Sequence, residues 1–303
     1  MRRSRIGQPP GGATVTVMRY GILFANTGQA VSPDGATALG TLAEDHGFES
    51  IWTVEHVVVP AGYQSTYPYS TSGKMPGSES SPIPDPLIWL TWVAATTRTL
   101  RLGTGVLILP QRNPAILAKE LATLDVLSAG RVTLGVGVGW LEEEFRALGV
   151  AFDDRGQRTD DYIQALRTLW RDDESSFHSR FVDFDRARSY PKPVQAGGVP
   201  IVVGGHSPAA ARRAGRLGDE FFPLGDTEQL AKLIDIMRDS ARGAGRDPDS
   251  ISITAGPVVD ADGVRRLADL GVSRVVVPNL GGGPQEWKAR LGRFADEVMA
   301  RAG

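Results

Sequence analysis

The 303-residue chain has no cysteine, which excludes disulfides, thiolate metal sites and a cysteine nucleophile. It has only four histidines (His46, His56, His178, His206), none spaced as a pair on one helix face, so a metal site is not expected. It also lacks a basic excess: the formal charge is −2, against a general binder of nucleic acid or membrane surface. No apolar run is long enough to span a bilayer. The start is basic (Met1-Arg2-Arg3-Ser4-Arg5), but Gly7 to Thr14 carries no apolar core, so it does not read as a secretory signal. Residues 1–17 read as a disordered tail or an overlong start, with Met18 directly before the first strand and one domain over 18–303. A cytoplasmic protein is the default expectation.

What is present is a regular alternation. Hydrophobic content of 41% and charged content of 22% suit a globular protein with a sizeable core. The pattern predicts strands at 19–24, 49–54, 101–108, 131–138, 201–203, 220–223, 250–255 and 273–277, each followed by at least one helix. Eight βα units over this length predict a closed (β/α)₈ TIM barrel of the α/β class. The alternative is an open doubly wound sheet. Two stretches interrupt the rhythm. One is a long loop after strand 2 (57–86), rich in Ser, Pro, Gly and Tyr and too long to be a plain connection. The other is a polar insertion before strand 5 (175–198). Asn113 is expected to cap the helix that opens on Pro114, with Ile116, Leu117, Leu121, Leu124 and Leu127 as its apolar stripe. The closing helix is expected over 285–302.

In such a barrel the site lies at the carboxyl ends of the strands. The candidates are therefore Phe24 to Asn26, Glu55 and His56, Gly105 and Val106, Val138 to Trp140, Gly204 to Ser207, Leu224, and Pro278 to Leu280. Most are small or apolar, a wall suited to a flat organic cofactor. Gly204-Gly205-His206-Ser207-Pro208 is the clearest anion site: glycines permit close approach, Ser207 can cap the helix, and the helix start attracts negative charge. The alternative is a plain capped turn. Gly135-Val136-Gly137-Val138-Gly139 does not make a dinucleotide fingerprint, because Trp140 holds the third glycine's place and the run follows strand 4 instead of strand 1. Its glycines are instead expected to let a ligand approach the barrel floor.

His56, next to Glu55, is the one histidine at a strand end beside an acid, able to exchange a proton or bond a ring carbonyl. The alternative is a loop histidine satisfied by solvent. His46 and His178 read as structural or surface. Glu142, Glu143 and Glu144 read as a solvated first helical turn, Trp89 and Trp92 as core, and Tyr63, Tyr67 and Tyr69 as lining for a lid.

Four segments carry a resemblance: 49–60 (ESIWTVEHVVVP), the run from Leu102 to Pro110 through Trp140, 155–162 (RGQRTDDY) and 202–209 (VVGGHSPA). Over about residues 19–280 the chain resembles the luciferase-like monooxygenase superfamily, and within it the deazaflavin (coenzyme F-420)-dependent oxidoreductases. The resemblance implies a barrel binding a flavin-type cofactor across its carboxyl face. It implies a cis peptide at Gly105-Val106 beneath the ring, a floor at Val138 and Gly139, and the cofactor phosphate at Gly204, Gly205, His206 and Ser207. It makes His56 the histidine that contacts ring or substrate. Trp140 stands where sugar-phosphate dehydrogenases of the group carry a catalytic glutamate. An aromatic, apolar substrate pocket including Trp140 and Tyr69 is therefore expected.

The activity implied is hydride transfer between coenzyme F-420 and a small organic substrate. One alternative is an FMN-dependent monooxygenase fed by a partner reductase, and another is a flavin-binding protein without turnover. Relatives commonly form homodimers.

Overall fold

The computed structural model describes residues 17–279 and 281–302; Leu280 and all but Val17 of the expected tail over 1–17 lie outside the described residues. The elements run β1 (Arg19–Leu23), α1 (Pro33–Asp45), β2 (Ser50–Thr53), α2 (Pro86–Thr96), β3 (Arg101–Thr104), β4 (Leu107–Ile108), α3 (Pro114–Leu127), β5 (Val132–Gly137), α4 (Glu142–Ala147) and α5 (Arg155–Arg171). They continue with β6 (Ser175–His178), β7 (Asp183–Ala187), β8 (Ile201–Gly204), α6 (Pro208–Leu217), β9 (Glu220–Phe222), α7 (Thr227–Gly243), β10 (Ser252–Ala255), α8 (Ala261–Asp269), β11 (Arg274–Pro278) and α9 (Pro284–Phe294). A π-helical turn (Ala295–Met299) and α10 (Ala300–Ala302) continue α9, so the closing helix expected over 285–302 is present with a π turn inside it.

Parallel pairing runs β1-β2-β3-β5-β8-β9-β10-β11 and returns to β1 through the register Arg19↔Arg274 to Leu23↔Pro278. That last ladder closes the sheet into a (β/α)₈ barrel and removes the open-sheet alternative. Strands covered on both faces need near-continuous apolar or small residues, and β5 is buried along its whole length. Asn113 caps α3 as expected, accepting from the Ala115 and Ile116 amides. Leu117, Leu121 and Leu124 are buried beneath that helix, while Ile116 and Leu127 face outward.

The structure corrects three further expectations. The predicted strand 101–108 is two pieces, β3 and β4, with β4 rejoining β5 at Leu107↔Val136. The polar insertion holds an antiparallel hairpin, β6 with β7, whose alternation is too short and polar to stand out in sequence. Trp92 is half exposed, its indole N–H donating to Thr37 Oγ1 at 3.0 Å, whereas Trp89 is core as expected.

The barrel interior has two tiers. The upper is apolar: Leu23, Trp52, Val202, Phe222 and Val276. Trp52 fills most of it, edge-on to Phe222 at 5.9 Å, and a Cβ on Gly103 would lie 2.5 Å from its ring. The lower tier is ionic. Arg274 is buried, donates to Glu49 at 2.9 and 3.0 Å and to Thr254 at 2.9 Å, and pairs with Glu220. Burial opposes the Arg274 charge, but Glu220 and Glu49 outweigh it and hold the guanidinium above its ordinary range. No helix among the described residues is long and apolar enough to cross a membrane.

Candidate active site

The floor of the site is made by three interlocked strand ends. The Gly105–Val106 peptide is cis, as the resemblance implies, and Gly105 N–H donates to Thr53 O at 2.6 Å. The Val106 side chain then lies between β5 and β8. A Cβ on Gly137 would come 2.5 Å from Val106 Cγ2, and one on Gly204 would come 2.5 Å from Val106 Cγ1. The glycines read as openings for a ligand are thus filled by the protein itself. Gly139 has φ +81°, and a side chain there would collide with Phe145 and Ile108. Its carbonyl accepts from Arg155 Nε at 3.1 Å.

Asn26, another strand-end candidate, is wholly buried. It bonds Val54 N–H and O and Pro84 O at 2.9–3.0 Å, stapling β1 and β2 to the end of the long loop. Leu224 packs on the apolar tier, and Asn279 N–H donates to Leu23 O at 2.8 Å.

Glu55 and His56 leave β2 with opposite duties. Glu55 accepts from Ile108 N–H at 2.5 Å and from Arg112, which also bonds Asp85 at 2.7 Å. Burial pushes the Glu55 carboxyl up, against the pull of Arg112 and the Ile108 amide. This acid locks strand three in place and does not touch the histidine. The partner of His56 is Glu144, whose Oε2 lies 3.0 Å from Nδ1, with the two side chains 2% and 9% exposed respectively for glutamate and histidine. Glu144 Oε1 also accepts the Val57 and Val58 amides at 2.6 and 3.2 Å.

One residue earlier, Glu143 accepts from the Ser65 hydroxyl at 2.6 Å and the Gln64 amide at 2.7 Å. The Ser65 hydroxyl, then the Gln64 amide, bring its carboxyl down to about 2. The acidic run expected to be solvated is therefore the anchor of the loop, because its second and third members turn toward unpaired loop amides.

From His56 a row of rings crosses the barrel mouth. Trp140 stands edge-on to His56 at 5.7 Å, to Tyr63 at 5.5 Å and to Tyr67 at 5.1 Å. Tyr67 meets Tyr69 at 5.2 Å, and Tyr69 meets His206 at 4.7 Å. Burial, with Tyr69 and Tyr63 nearby, pushes the Tyr67 phenol up to about 12, so it stays protonated at neutral pH. The three tyrosines come together beside Trp140, and Lys74 and Met75 bond Tyr63. Beside His56, between residues 57–59 and 79–83, lies a cavity of about 200 Å³. A larger trough of about 580 Å³, lined by His46, Lys288 and Arg293, runs along α9 and away from the strand ends.

The row ends at the start of α6. Gly205 (φ +128°) turns the chain, and its amide is spent on Phe222 O at 3.2 Å. Ser207 caps the helix by accepting from Ala210 N–H at 3.2 Å, with Pro208 in the first turn. Among the described residues the His206, Ser207 and Ala209 amides have no acceptor, which suits an anion at a helix start. A phosphate at these amides and a planar ring system on the apolar floor fit the residues present.

The structure thus gathers His56, Trp140, Tyr69 and His206 in one line and puts Val106 against Gly204. Sequence reasoning missed Glu144, Glu143, Ser65 and Arg112 as site builders. The only signal was a carboxylate run at the expected strand-four end.

Comparison with known proteins agrees with this architecture. The luciferase-like monooxygenase family model matches residues 18–262. An uncharacterized protein of Mycobacterium tuberculosis is 34% identical over 87% of this chain and 94% of its own. An F-420-dependent glucose-6-phosphate dehydrogenase of Mycolicibacterium gilvum is 31% identical over 75% of this chain and 65% of its own. An FMNH(2)-dependent dimethylsulfone monooxygenase of Pseudomonas putida is 33% identical over 68% and 53%. Among solved structures, an F-420-dependent secondary alcohol dehydrogenase with an F-420–acetone adduct superimposes with a TM-score of 0.76 at 19% identity, covering 93% of this chain and 98% of that one. The chain belongs to the luciferase-like monooxygenase family, whose relatives include F-420- and FMN-dependent oxidoreductases.

Proposed function

We propose that this protein is an oxidoreductase that transfers a hydride between coenzyme F-420 and a small organic substrate. The observation that carries the reading is the aromatic row from His56 through Trp140, Tyr67 and Tyr69 to His206. It joins a buried proton-handling group at one side of the mouth to an anion site at the other. The free amides of His206, Ser207 and Ala209 would hold the cofactor phosphate, with Gly205 turning the chain toward it. Val106, Val138 and Gly139 would underlie the ring. When bound, such a cofactor supplies the hydride chemistry. This chain's own part is to orient, to exclude water beneath Tyr67 and Tyr69, and to give or take a proton at His56 Nε2.

Trp140 speaks to the substrate. It brings an apolar ring to the face of His56, where a sugar phosphate would need polar partners, so an aromatic-tolerant, uncharged substrate suits the site better. The FMN-dependent relative supports a second reading, a monooxygenase that takes reduced FMN from a partner reductase. Titration of the purified protein with oxidised and reduced F-420 beside FMN separates the two. F-420 binding is expected, whereas tight binding of FMN alone overturns the cofactor assignment.

A further inference from the structure

Glu144 does more than tie down the loop. It is nearly inaccessible, with 2% of its side chain exposed, and its two oxygens divide their work. Oε1 takes the Val57 and Val58 amides. Oε2 faces only His56 Nδ1, at 3.0 Å. A carboxylate is an acceptor, so the proton in that bond must sit on Nδ1. A neutral imidazole then has its lone pair on Nε2. Among the described residues no other acid bonds the ring: Glu55 is taken up by Ile108 and Arg112, and Glu79, which lines the same cavity, accepts from Gly62 N–H. Trp140 packs edge-on to the ring at 5.7 Å.

We infer that Glu144 is a positioning residue that fixes His56 as the Nδ1–H tautomer and presents Nε2 to the substrate, while the same carboxylate sets the root of the lid. The inference rests on reading His56 as the proton-handling group. It adds that lid attachment and histidine tautomer share one side chain, so a displaced lid root and a misdirected proton go together.

Glu144→Gln tests it, because the amide keeps an oxygen for Val57 and Val58 but turns a donor toward Nδ1. The readout is the long-range ¹H–¹⁵N spectrum of the full chain at pH 9, above the ordinary histidine range of about 6.5. With four histidines in the chain, a His56→Asn variant identifies the His56 signals. The wild type is expected to show Nδ1 protonated and Nε2 bare, and E144Q the reverse. Nε2–H in the wild type, or the same tautomer in both proteins, overturns the inference.

In turnover, a mere structural role for Glu144 would leave E144Q near wild type. A positioning role lowers kcat by about 10- to 100-fold with KM little changed, the size of loss seen when the carboxylate partner of a metal-ligating histidine is removed. The tautomer readout needs no cofactor. Failure to bind F-420 or FMN would therefore remove the proposed function and leave this result standing.

Discussion

At the scale of single residues, the site is governed by which side chain takes a space and which gives it up. Val106 takes the space between β5 and β8, and Gly137 and Gly204 give it. Gly204→Ala should destabilise the fold by about 1–3 kcal/mol, the usual cost of overpacking. Val106→Ala in the same chain should recover much of that loss, because touching residues are not additive. Urea unfolding of the two single variants and the double variant measures it, and simple additivity would refute the contact. The same scale explains what sequence reading could and could not see. Gly105-Val106 was recognisable because a motif surrounds it. Glu55 beside His56 was misleading, because successive side chains of an extended chain point to opposite sides. Glu144 was hidden inside three consecutive glutamates, and nothing local separates the one that turns inward.

At the scale of elements, α4 is a short helix whose main duty is to hold the loop over 57–86. Ser65 both donates to Glu143 and accepts from the Glu142 amide, so helix start and loop cap each other. The pH dependence has a definite sign. The Glu143 carboxyl is held at about 2 when folded, against about 4.3 for a free glutamate. Its stabilisation is complete above the free value and is lost as pH falls toward 2. Limited proteolysis of the loop should therefore be faster in Glu143→Gln than in wild type at pH 6. The difference should shrink as pH drops below about 4. An E143Q loop as resistant as wild type at pH 6 would show that the anchor is not needed. The other helix start, α6, is built from a local Ser-Pro cap that sequence alone displays, which is why the capped turn could be read before the fold was known.

At the scale of the whole molecule, the barrel is a stack of dissimilar tiers. Charge lies at its amino end, the Trp52 layer at its middle, and small and aromatic residues at its mouth. The lower tier is the part most sensitive to losing one member. Removing Arg274 leaves the buried Glu220 with no cation and only the Thr254 hydroxyl, while Glu49 keeps Arg19 and Arg101 at 4.0 and 3.9 Å. Arg274→Met should cost roughly 3–5 kcal/mol, the range for breaking a buried ion pair by deleting one partner. Denaturant unfolding checks the magnitude, and a change below about 1 kcal/mol would mean that the tier is hydrated rather than dry. The ionic tier is separated from the mouth by Trp52. F-420 or FMN affinity in folded Arg274→Met should therefore stay close to wild type.

The sequence by itself determined the eightfold alternation, the caps of α3 and α6, and the family. All of these are written in neighbouring residues: periodicity sets strands and helices, and Asn-Pro or Ser-Pro sets a helix start. Only the tertiary structure decided the partners. His56 and Glu144 lie 88 positions apart, and Glu49 and Arg274 lie 225 apart. They meet because barrel closure brings strand ends and loop roots together. A carboxylate's duty depends on the donor that closure places beside it, and no local pattern encodes that distance.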